Sequence, residues 1–174
     1  MSLRANLQVA LLMAIGTLLH LVAPGYGGGM KPDLLLSMLF IVILLNPKLQ
    51  PTILAGLLAG FLAAMTTTFP GGQIPSIFDK LAAAFVAFGL ISMFKERINH
   101  YVMSALLGLI GTIVSGVIFL GSALAITGLP VPFEVLFVTV VLPTSIVNTI
   151  AIAILYPIVV FSKTTVEKAS RRTV

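Results

Sequence analysis

The sequence predicts an all-α membrane protein, a bundle of six transmembrane helices in a single domain over residues 1–174. Charged residues make up only 9% of the chain, whereas soluble domains contain roughly a quarter. Hydrophobic residues make up 59%, and the mean hydropathy is +1.16, which places the chain in the membrane class. The apolar residues form long runs without strand-like alternation, so helices are favoured over a transmembrane barrel.

The apolar runs approach the roughly 20 residues that a helical span needs. Their bounds are about 3–22, 33–45, 52–67, 76–94, 101–126 and 133–161. The second run is short for a span and follows Pro32, which suits a helix start. The third and fourth follow Pro51 and Pro75. The sixth contains Pro143 and Pro157, which predict a kink.

The basic residues predict which end of each helix is cytoplasmic, because short cytoplasmic loops are enriched in lysine and arginine. With both termini in the cytoplasm, Lys31 and Lys80 fall on the outer side. The others fall on the inner side: Arg4, Lys48, Lys95, Arg97, Lys163, Lys168, Arg171 and Arg172. The loops "PGYGGGMKPD", "TTTFPGGQIPS" and "TGLPVPF" then share the outer face. We expect the first two to line one pocket for a small zwitterion.

Several classes of function are disfavoured. The chain has no cysteine, which excludes thiolate metal sites and iron–sulfur clusters. It has no G-x-x-x-x-G-K-[ST], H-E-x-x-H or G-x-S-x-G motif and no histidine pair placed for a metal. We therefore predict no catalytic residue, metal site or cofactor. The net charge of +5 comes from helix ends and the C-terminal tail, which suits an anionic membrane surface rather than nucleic acid.

The loop "GGGMKPD" places two opposite charges, Lys31 and Asp33, before the second helix. They can meet the carboxylate and the ammonium of an amino acid. The preceding glycines, including Gly28 and Gly29, let backbone N–H groups approach a carboxylate. In the alternative interpretation, Asp33 caps the helix and Lys31 reaches the lipid headgroups.

Asp79 and Lys80 lie inside the fourth apolar run, near its outer end. A charge within a span is costly and usually faces a cavity or a partner. Either these charges bind a ligand, or they form a structural salt bridge such as one between Asp79 and Lys31.

The stretch "TTTFPGG" precedes them and offers hydroxyls and an aromatic ring. Its three hydroxyls, on Thr66, Thr67 and Thr68, either face a ligand, for which Thr67 and Thr68 are the candidates, or bond back to the carbonyl four residues earlier. Phe69 either stacks on a ligand or faces lipid or the core. Gln73 is a candidate partner for an indole or amide group.

Asn148 is an amide at membrane depth in the sixth run, and Thr144 and Ser145 share its helical face. Such a stripe either joins helices or contacts a ligand. His20, at the outer end of the first run, either donates to a substrate or lies at the membrane interface.

Ala10 and Ala14 form a small-xxx-small pattern in a leucine-rich first helix. This pattern lets another helix approach closely. The partner is either a helix of the same bundle or a docking protein.

The stretches "GGMKPDLLLSMLF", "TTTFPGGQIPSIFDK", "TGLP", "VVLPTSIVNTI" and "YPIV" resemble the bacterial tryptophan transporter family, from the first helix to about Val160. Members of that family are similar to the S (substrate-binding) components of energy-coupling-factor transporters. The resemblance implies a six-helix S component that binds its ligand from outside and works with a T component and two ATPase subunits. It also implies that Ala10 and Ala14 dock to the T component, and that the pocket uses the first and third outer loops and the sixth helix.

The resemblance predicts a multi-pass protein of the bacterial plasma membrane that captures L-tryptophan outside and delivers it inward. Asp33 or Asp79 would bind the ammonium, and Lys31 with glycine N–H groups the carboxylate. Phe69, Met30 and Tyr26 would wall the ring, and Gln73, Asn148 or a threonine would accept the indole N–H. The predicted substrate-binding residues are Tyr26, Gly28, Gly29, Met30, Lys31, Asp33, Thr67, Thr68, Phe69, Gln73, Asp79 and Asn148.

Two alternatives compete with this function. One is a self-sufficient, proton-coupled secondary transporter of tryptophan or other aromatic amino acids, with Asp79 or His20 as the relay. Such transporters usually contain internal repeats, and we find no convincing repeat. The other is a structural protein without a ligand, which would not need charges and glycines concentrated in its outer loops.

Overall fold

The computed structural model describes residues 3–25, 31–94 and 97–172, and these form helices joined by short loops, with no strand among them. The helices are α1 (Leu3–Val22), α2 (Leu34–Leu45), α3 (Leu49–Thr66), α4 (Gln73–Phe94), α5 (His100–Ile126) and α6 (residues 133–172). The predicted all-helical class is confirmed.

Helices α5 and α6 each contain one π-helical turn. In α5 the turn Leu107–Gly111 separates the α-helical segments His100–Leu106 and Thr112–Ile126. In α6 the turn Phe137–Val141 separates Phe133–Leu136 from Leu142–Arg172. A π turn locally widens the hydrogen-bonding pattern and is often found at functional sites.

Three helix ends differ from the prediction. Helices α3 and α4 begin before Pro51 and Pro75 rather than after them. A proline is tolerated in the first turn of a helix, because the N–H groups there have no intrahelical acceptor. Helix α6 continues beyond 161 to Arg172, because the polar residues after the apolar run include good helix formers.

Helix α2 lies at the centre of the bundle. Residues Leu35 to Leu44 are all buried, which is typical of a helix that is apolar on every side. Its 12 residues rise about 18 Å, less than the roughly 30 Å of a hydrocarbon core. Five described helices are long and apolar enough to cross a membrane, and α2 is a shorter apolar helix enclosed by them.

The five long helices present large apolar side chains on the outside of the bundle. Leu11, Leu18, Phe61, Ile150 and Ile154 are examples, all well exposed. A soluble monomer rarely leaves apolar surface of this extent in water. The outer faces therefore suit a lipid environment.

Close contacts between α3 and α4 hold these two helices together. A Cβ on Gly56 of α3 would lie 3.0 Å from Cβ of Ala84, and one on Gly60 would lie 3.1 Å from the Ile77 Cα. Small residues at such positions let two helix backbones approach closely. Helix α4 is thereby held against α3, with Asp79 and Lys80 turned into the bundle.

Candidate functional site

A cavity of about 460 Å³ opens where α2 begins. Its volume lies within the roughly 300–1,000 Å³ of small-molecule pockets. The polar residues that line it are His20, Lys31, Asp33, Thr66, Thr67, Thr68, Ser76, Asp79, Lys80, Thr112, Ser115 and Thr144. The apolar residues that line it include Leu36, Phe69, Phe119, Leu120, Pro130, Leu136, Val140 and Val141.

Asp33 is the N-cap residue of α2 and faces this cavity. Its Oδ1 accepts a hydrogen bond from the Leu36 N–H at 2.9 Å, and its Oδ2 accepts one from Lys80 Nζ at 2.8 Å. His20 Nδ1 lies 4.0 Å from Oδ1. Burial opposes ionisation of Asp33, but the Lys80 ammonium, with a smaller contribution from His20, outweighs it, so the pKa of Asp33 lies below its usual value.

Lys80 and Asp79 form the buried part of the same cluster. Asp79 is 1% exposed and Lys80 is 5% exposed. Lys80 Nζ donates to Asp79 Oδ2 at 2.5 Å, and the Ser115 hydroxyl donates to Asp79 Oδ1. A buried charge persists when it is paired and hydrogen-bonded, and Lys80 satisfies this by bridging both carboxylates.

Asn148 joins three helices beneath the cavity. It is 1% exposed, and its Oδ1 accepts from the backbone N–H of Asp33 at 2.9 Å. Its Nδ2 donates to Thr112 Oγ1 at 3.2 Å. The amide of α6 therefore fixes the start of α2 relative to α5.

The apolar side of the cavity includes an aromatic pair. The rings of Phe69 and Phe119 lie edge to face, with centroids 5.2 Å apart and an interplanar angle of 86°. Such pairs are a favoured arrangement of two aromatic rings. Both rings line the cavity that the charged cluster also lines.

The second and third polar loops meet at this end of the bundle. Gly71 has φ +70°, and a Cβ there would lie 2.5 Å from Thr127 Cγ2. The position therefore requires glycine both for its backbone conformation and for the approach of the next loop. Phe69 and Pro130, one from each loop, both line the cavity.

Half of the predicted substrate-binding residues line the cavity. They are Lys31, Asp33, Thr67, Thr68, Phe69 and Asp79. Gln73 is exposed at the start of α4, and Asn148 lies below the cavity on its partners Asp33 and Thr112. Tyr26, Gly28, Gly29 and Met30 lie outside the described residues. Whether any of these residues contacts a ligand stays a prediction.

The structure also contains interactions that the sequence offered as alternatives to ligand binding. The Thr66 hydroxyl bonds back to the Leu62 carbonyl at 2.8 Å, and Asp33 does cap α2. Among the ion pairs of the described ranges, the salt bridge of Asp79 is with Lys80 and not with Lys31. Asp79 therefore does form a structural salt bridge, but its partner is Lys80.

Sequence reasoning missed several residues that face the cavity. The sequence shows Lys80 as a charge within a span, but the predicted substrate-binding residues include its neighbour Asp79 and not Lys80. Thr112 and Ser115 are three residues apart, which puts them on one helical face, and this was the available signal. Their partners Asn148 and Asp79 are each 36 residues away along the chain, a pairing that no local pattern reveals.

Ala10 and Ala14 are exposed on the outer side of α1. They lie away from the cavity, on the surface that faces the surroundings of the bundle. Within the part of the chain that the structure describes, no group of three or more His, Asp or Glu is placed to hold a metal ion.

The chain is similar to known proteins over most of its length. A family model described as "Tryptophan transporter TrpP" matches residues 3–164. The chain is 48% identical to a "Probable tryptophan transport protein" of Bacillus subtilis over 151 residues, which is 87% of each chain. It is 45% identical to a protein of the same description from Clostridium acetobutylicum, over 90% of this chain and 91% of the relative. For a third, from Clostridium perfringens, the values are 42%, 99% and 98%. No solved structure matches the chain.

Proposed function

The chain belongs to the tryptophan transporter TrpP family, and from this premise we propose that it captures L-tryptophan in the cavity beside Asp33. It is a multi-pass bacterial membrane protein. The observation that carries the proposal is the cavity itself, which is lined both by charged groups of both signs and by the aromatic pair Phe69 and Phe119.

The chemistry of tryptophan matches these surfaces. Its ammonium requires an anion, and the carboxylates of Asp33 and Asp79 both line the cavity, Asp33 being the more exposed of the two. Its carboxylate requires donors, and Lys31 and the hydroxyls of Thr67 and Thr68 lie at the cavity. Its indole ring requires an apolar wall and an acceptor for one N–H. A site that pairs this N–H rejects phenylalanine, because its acceptor would be left without a partner.

We further propose that the chain is the S component of an energy-coupling-factor importer and that a T component and two ATPase subunits supply the energy. The sequence contains no P-loop motif, so ATP hydrolysis would belong to partner subunits. The exposed Ala10 and Ala14 on α1 offer a smooth surface on which a partner helix can approach.

A second candidate is a proton-coupled secondary transporter, and the charged cluster favours it. His20, Asp33, Lys80 and Asp79 are titratable and form one continuous chain of contacts from the cavity into the bundle. Chains of this kind inside membranes serve as proton relays. The two candidates share the ligand and differ in the source of energy.

Calorimetric titration of the purified protein in detergent, without ATP or partners, tests the ligand. We expect L-tryptophan to bind tightly and tyrosine, phenylalanine and indole to bind much more weakly. Binding of tryptophan by the isolated chain would establish it as a receptor. Absence of binding, with the protein folded, would contradict the proposal.

Uptake into proteoliposomes separates the two energy sources. For an S component, we expect accumulation of tryptophan when the T component, the ATPases and ATP are present, and none with an imposed proton gradient alone. Accumulation driven by the gradient in the absence of partners would establish the secondary transporter instead.

A further inference from the structure

Lys80 is the focus of the charged cluster. An ammonium group has three N–H donors. Within the described ranges the chain supplies Lys80 Nζ with two acceptors, Asp33 Oδ2 at 2.8 Å and Asp79 Oδ2 at 2.5 Å. Lys80 also lines the cavity. The third donor of this buried ammonium has no acceptor among the described residues, and an anion bound in the cavity would be a suitable partner for it.

The cluster also has an excess of negative charge. With all three side chains ionised, two carboxylates face one ammonium, which leaves one net negative charge. Asp79 is enclosed, whereas the Asp33 side chain is 23% exposed and lines the cavity. The excess charge is thus accessible at Asp33, next to the Lys80 ammonium.

We propose that the pair Asp33 and Lys80 recognises an α-amino acid as a zwitterion: Asp33 binds the ligand's ammonium and Lys80 binds the ligand's α-carboxylate. This inference rests on the proposed function and assigns a residue, Lys80, to the selection of the ligand. The two side chains and the ammonium and carboxylate of the ligand would then form a ring of four charges that alternate in sign. Each charge would have two neighbours of opposite sign.

The geometry suits charges that share one carbon atom. Lys80 Nζ and Asp33 Oδ2 are 2.8 Å apart, so the groups they bind must also be neighbours. An α-amino acid meets this condition because its ammonium and carboxylate are attached to the same carbon. Insertion of one more carbon between them separates the two groups and weakens one contact.

Asp79 and Ser115 hold Lys80 in this position. Asp79 Oδ2 accepts from Lys80, and the Ser115 hydroxyl donates to the other carboxylate oxygen. A lysine side chain is flexible, with several rotatable bonds, and this anchoring removes that freedom. Lys31, in contrast, is exposed at the cavity mouth, where water weakens its attraction for a carboxylate.

Titration of the unmodified protein with four indole ligands tests the proposal. The ligands are L-tryptophan, tryptamine, 3-(indol-3-yl)propionate and β-homotryptophan. Tryptophan presents both charges on one carbon, tryptamine only the ammonium, and indolepropionate only the carboxylate. β-Homotryptophan presents both charges, separated by an added carbon. We expect tryptophan to bind about 10- to 100-fold more tightly than each of the others, the range of one charged hydrogen bond.

A double variant, Lys80→Met with Asp79→Asn, isolates the role of Lys80. The wild-type cluster has two negative charges and one positive charge, and the variant keeps Asp33 alone, so the net charge stays at one negative. The attraction for the ammonium of tryptamine is therefore retained. We expect tryptophan to lose its advantage, so that the two ligands bind equally. Lys48→Met, which changes an exposed lysine that precedes α3 and does not line the cavity, is the control and should retain the full preference.

The possible outcomes distinguish failure of the role of Lys80 from failure of the proposed function. Equal binding of tryptophan and tryptamine by the wild-type protein, or an unchanged preference in the double variant, would overturn the role of Lys80 while leaving tryptophan as the ligand. If none of the four ligands binds to the folded wild-type protein, the proposed function itself fails, and this inference fails with it. Thermal unfolding of each variant confirms that loss of binding is not loss of fold.

Discussion

At the N-terminus of α2, one carboxylate performs two tasks that substitution can separate. Asp33 Oδ1 caps the helix through the Leu36 N–H, and Oδ2 accepts from Lys80. The sequence presented capping and ligand binding as alternatives. In the structure the cap uses one oxygen, the other accepts from Lys80, and the residue faces the cavity, so capping does not exclude the proposed contact with a ligand.

Asp33→Asn should therefore weaken tryptophan binding while preserving the helix. Asparagine caps a helix as well as aspartate does, but it has no charge for the ligand's ammonium. We expect the dissociation constant to rise about 10- to 100-fold and the unfolding temperature to fall, because Lys80 loses one of its two carboxylate partners. Calorimetry and thermal unfolding in detergent provide the two measurements.

Asp33→Ala is the comparison. It removes the cap as well as the charge, and loss of a cap costs about 1 kcal/mol. We expect the same weakening of binding together with an unfolding temperature below that of Asp33→Asn. An affinity for tryptophan that is unchanged in Asp33→Asn would exclude Asp33 from the ligand's contacts.

The sequence identified individual charges better than their partners. It singled out Asp33, Asp79 and Lys31 because charges are conspicuous in an apolar chain, and all three line the cavity. It did not identify Lys80 as a bridge between two carboxylates. That bridge depends on the packing of α4 beside α2, which joins residues 47 positions apart, and no spacing rule describes such a distance.

At the scale of helices, the apolar runs predicted where the helices lie in the sequence. They did not predict which helix is central, because that depends on tertiary packing. The run that became α2 is apolar throughout, so periodicity alone could not distinguish a lipid-facing span from a central helix. Its 12 residues were the informative feature, since they are too few to cross a bilayer upright. The sequence did not predict the π turns in α5 and α6, each of which contacts the other of these two helices.

Two glycines of α5 offer a matched test of that contact. A Cβ on Gly108, within the π turn, would lie 2.7 Å from the Thr149 Cα of α6, whereas a Cβ on Gly121 would meet nothing within 4 Å. We expect Gly108→Ala to destabilise the bundle by about 1–3 kcal/mol, because backbone atoms cannot move aside as a side chain can. Gly121→Ala should be neutral or stabilising by up to about 1 kcal/mol.

Unfolding of the two variants by heat or by a denaturing detergent makes the comparison. Both changes add one methyl group to the same helix, so differences in propensity cancel. Equal stability of the two variants would show that α5 and α6 are not packed closely at Gly108.

At the scale of the whole molecule, the cavity is useful for import only if it faces the outside. The structure brings the second and third polar loops together at the end of the bundle where the cavity opens. The distribution of lysine and arginine predicts that this end is external, and the orientation stays a prediction. The polar loops were thus the part of the site that the sequence indicated most directly.

The absence of cysteine from the chain makes the orientation easy to test. Gln73 and Gln50 are both exposed, and they start α4 and α3, which are antiparallel neighbours, so they lie at opposite ends of the bundle. A membrane-impermeant maleimide should label Gln73→Cys in intact cells and label Gln50→Cys only after permeabilisation. The reverse pattern would place the cavity on the cytoplasmic side.

The outer surface of α1 is the remaining question, because transport by an S component requires a partner as well as a ligand. Ala10 and Ala14 are exposed and lie away from the cavity. Replacing both with leucine should prevent a helix from approaching closely without disturbing the charged cluster. We expect tryptophan binding in detergent to be unchanged, and uptake with the T component and ATPases to be lost.

Ala125→Leu with Ala153→Leu supplies the control, since these alanines are exposed on α5 and α6 and the same volume is added. Loss of uptake in the α1 variant alone would assign the docking surface to α1. Equal loss in both variants would indicate a general disturbance of the bundle in the membrane. Normal uptake by the α1 variant would remove Ala10 and Ala14 from partner docking, and the binding of tryptophan would then have to be coupled to energy through another surface.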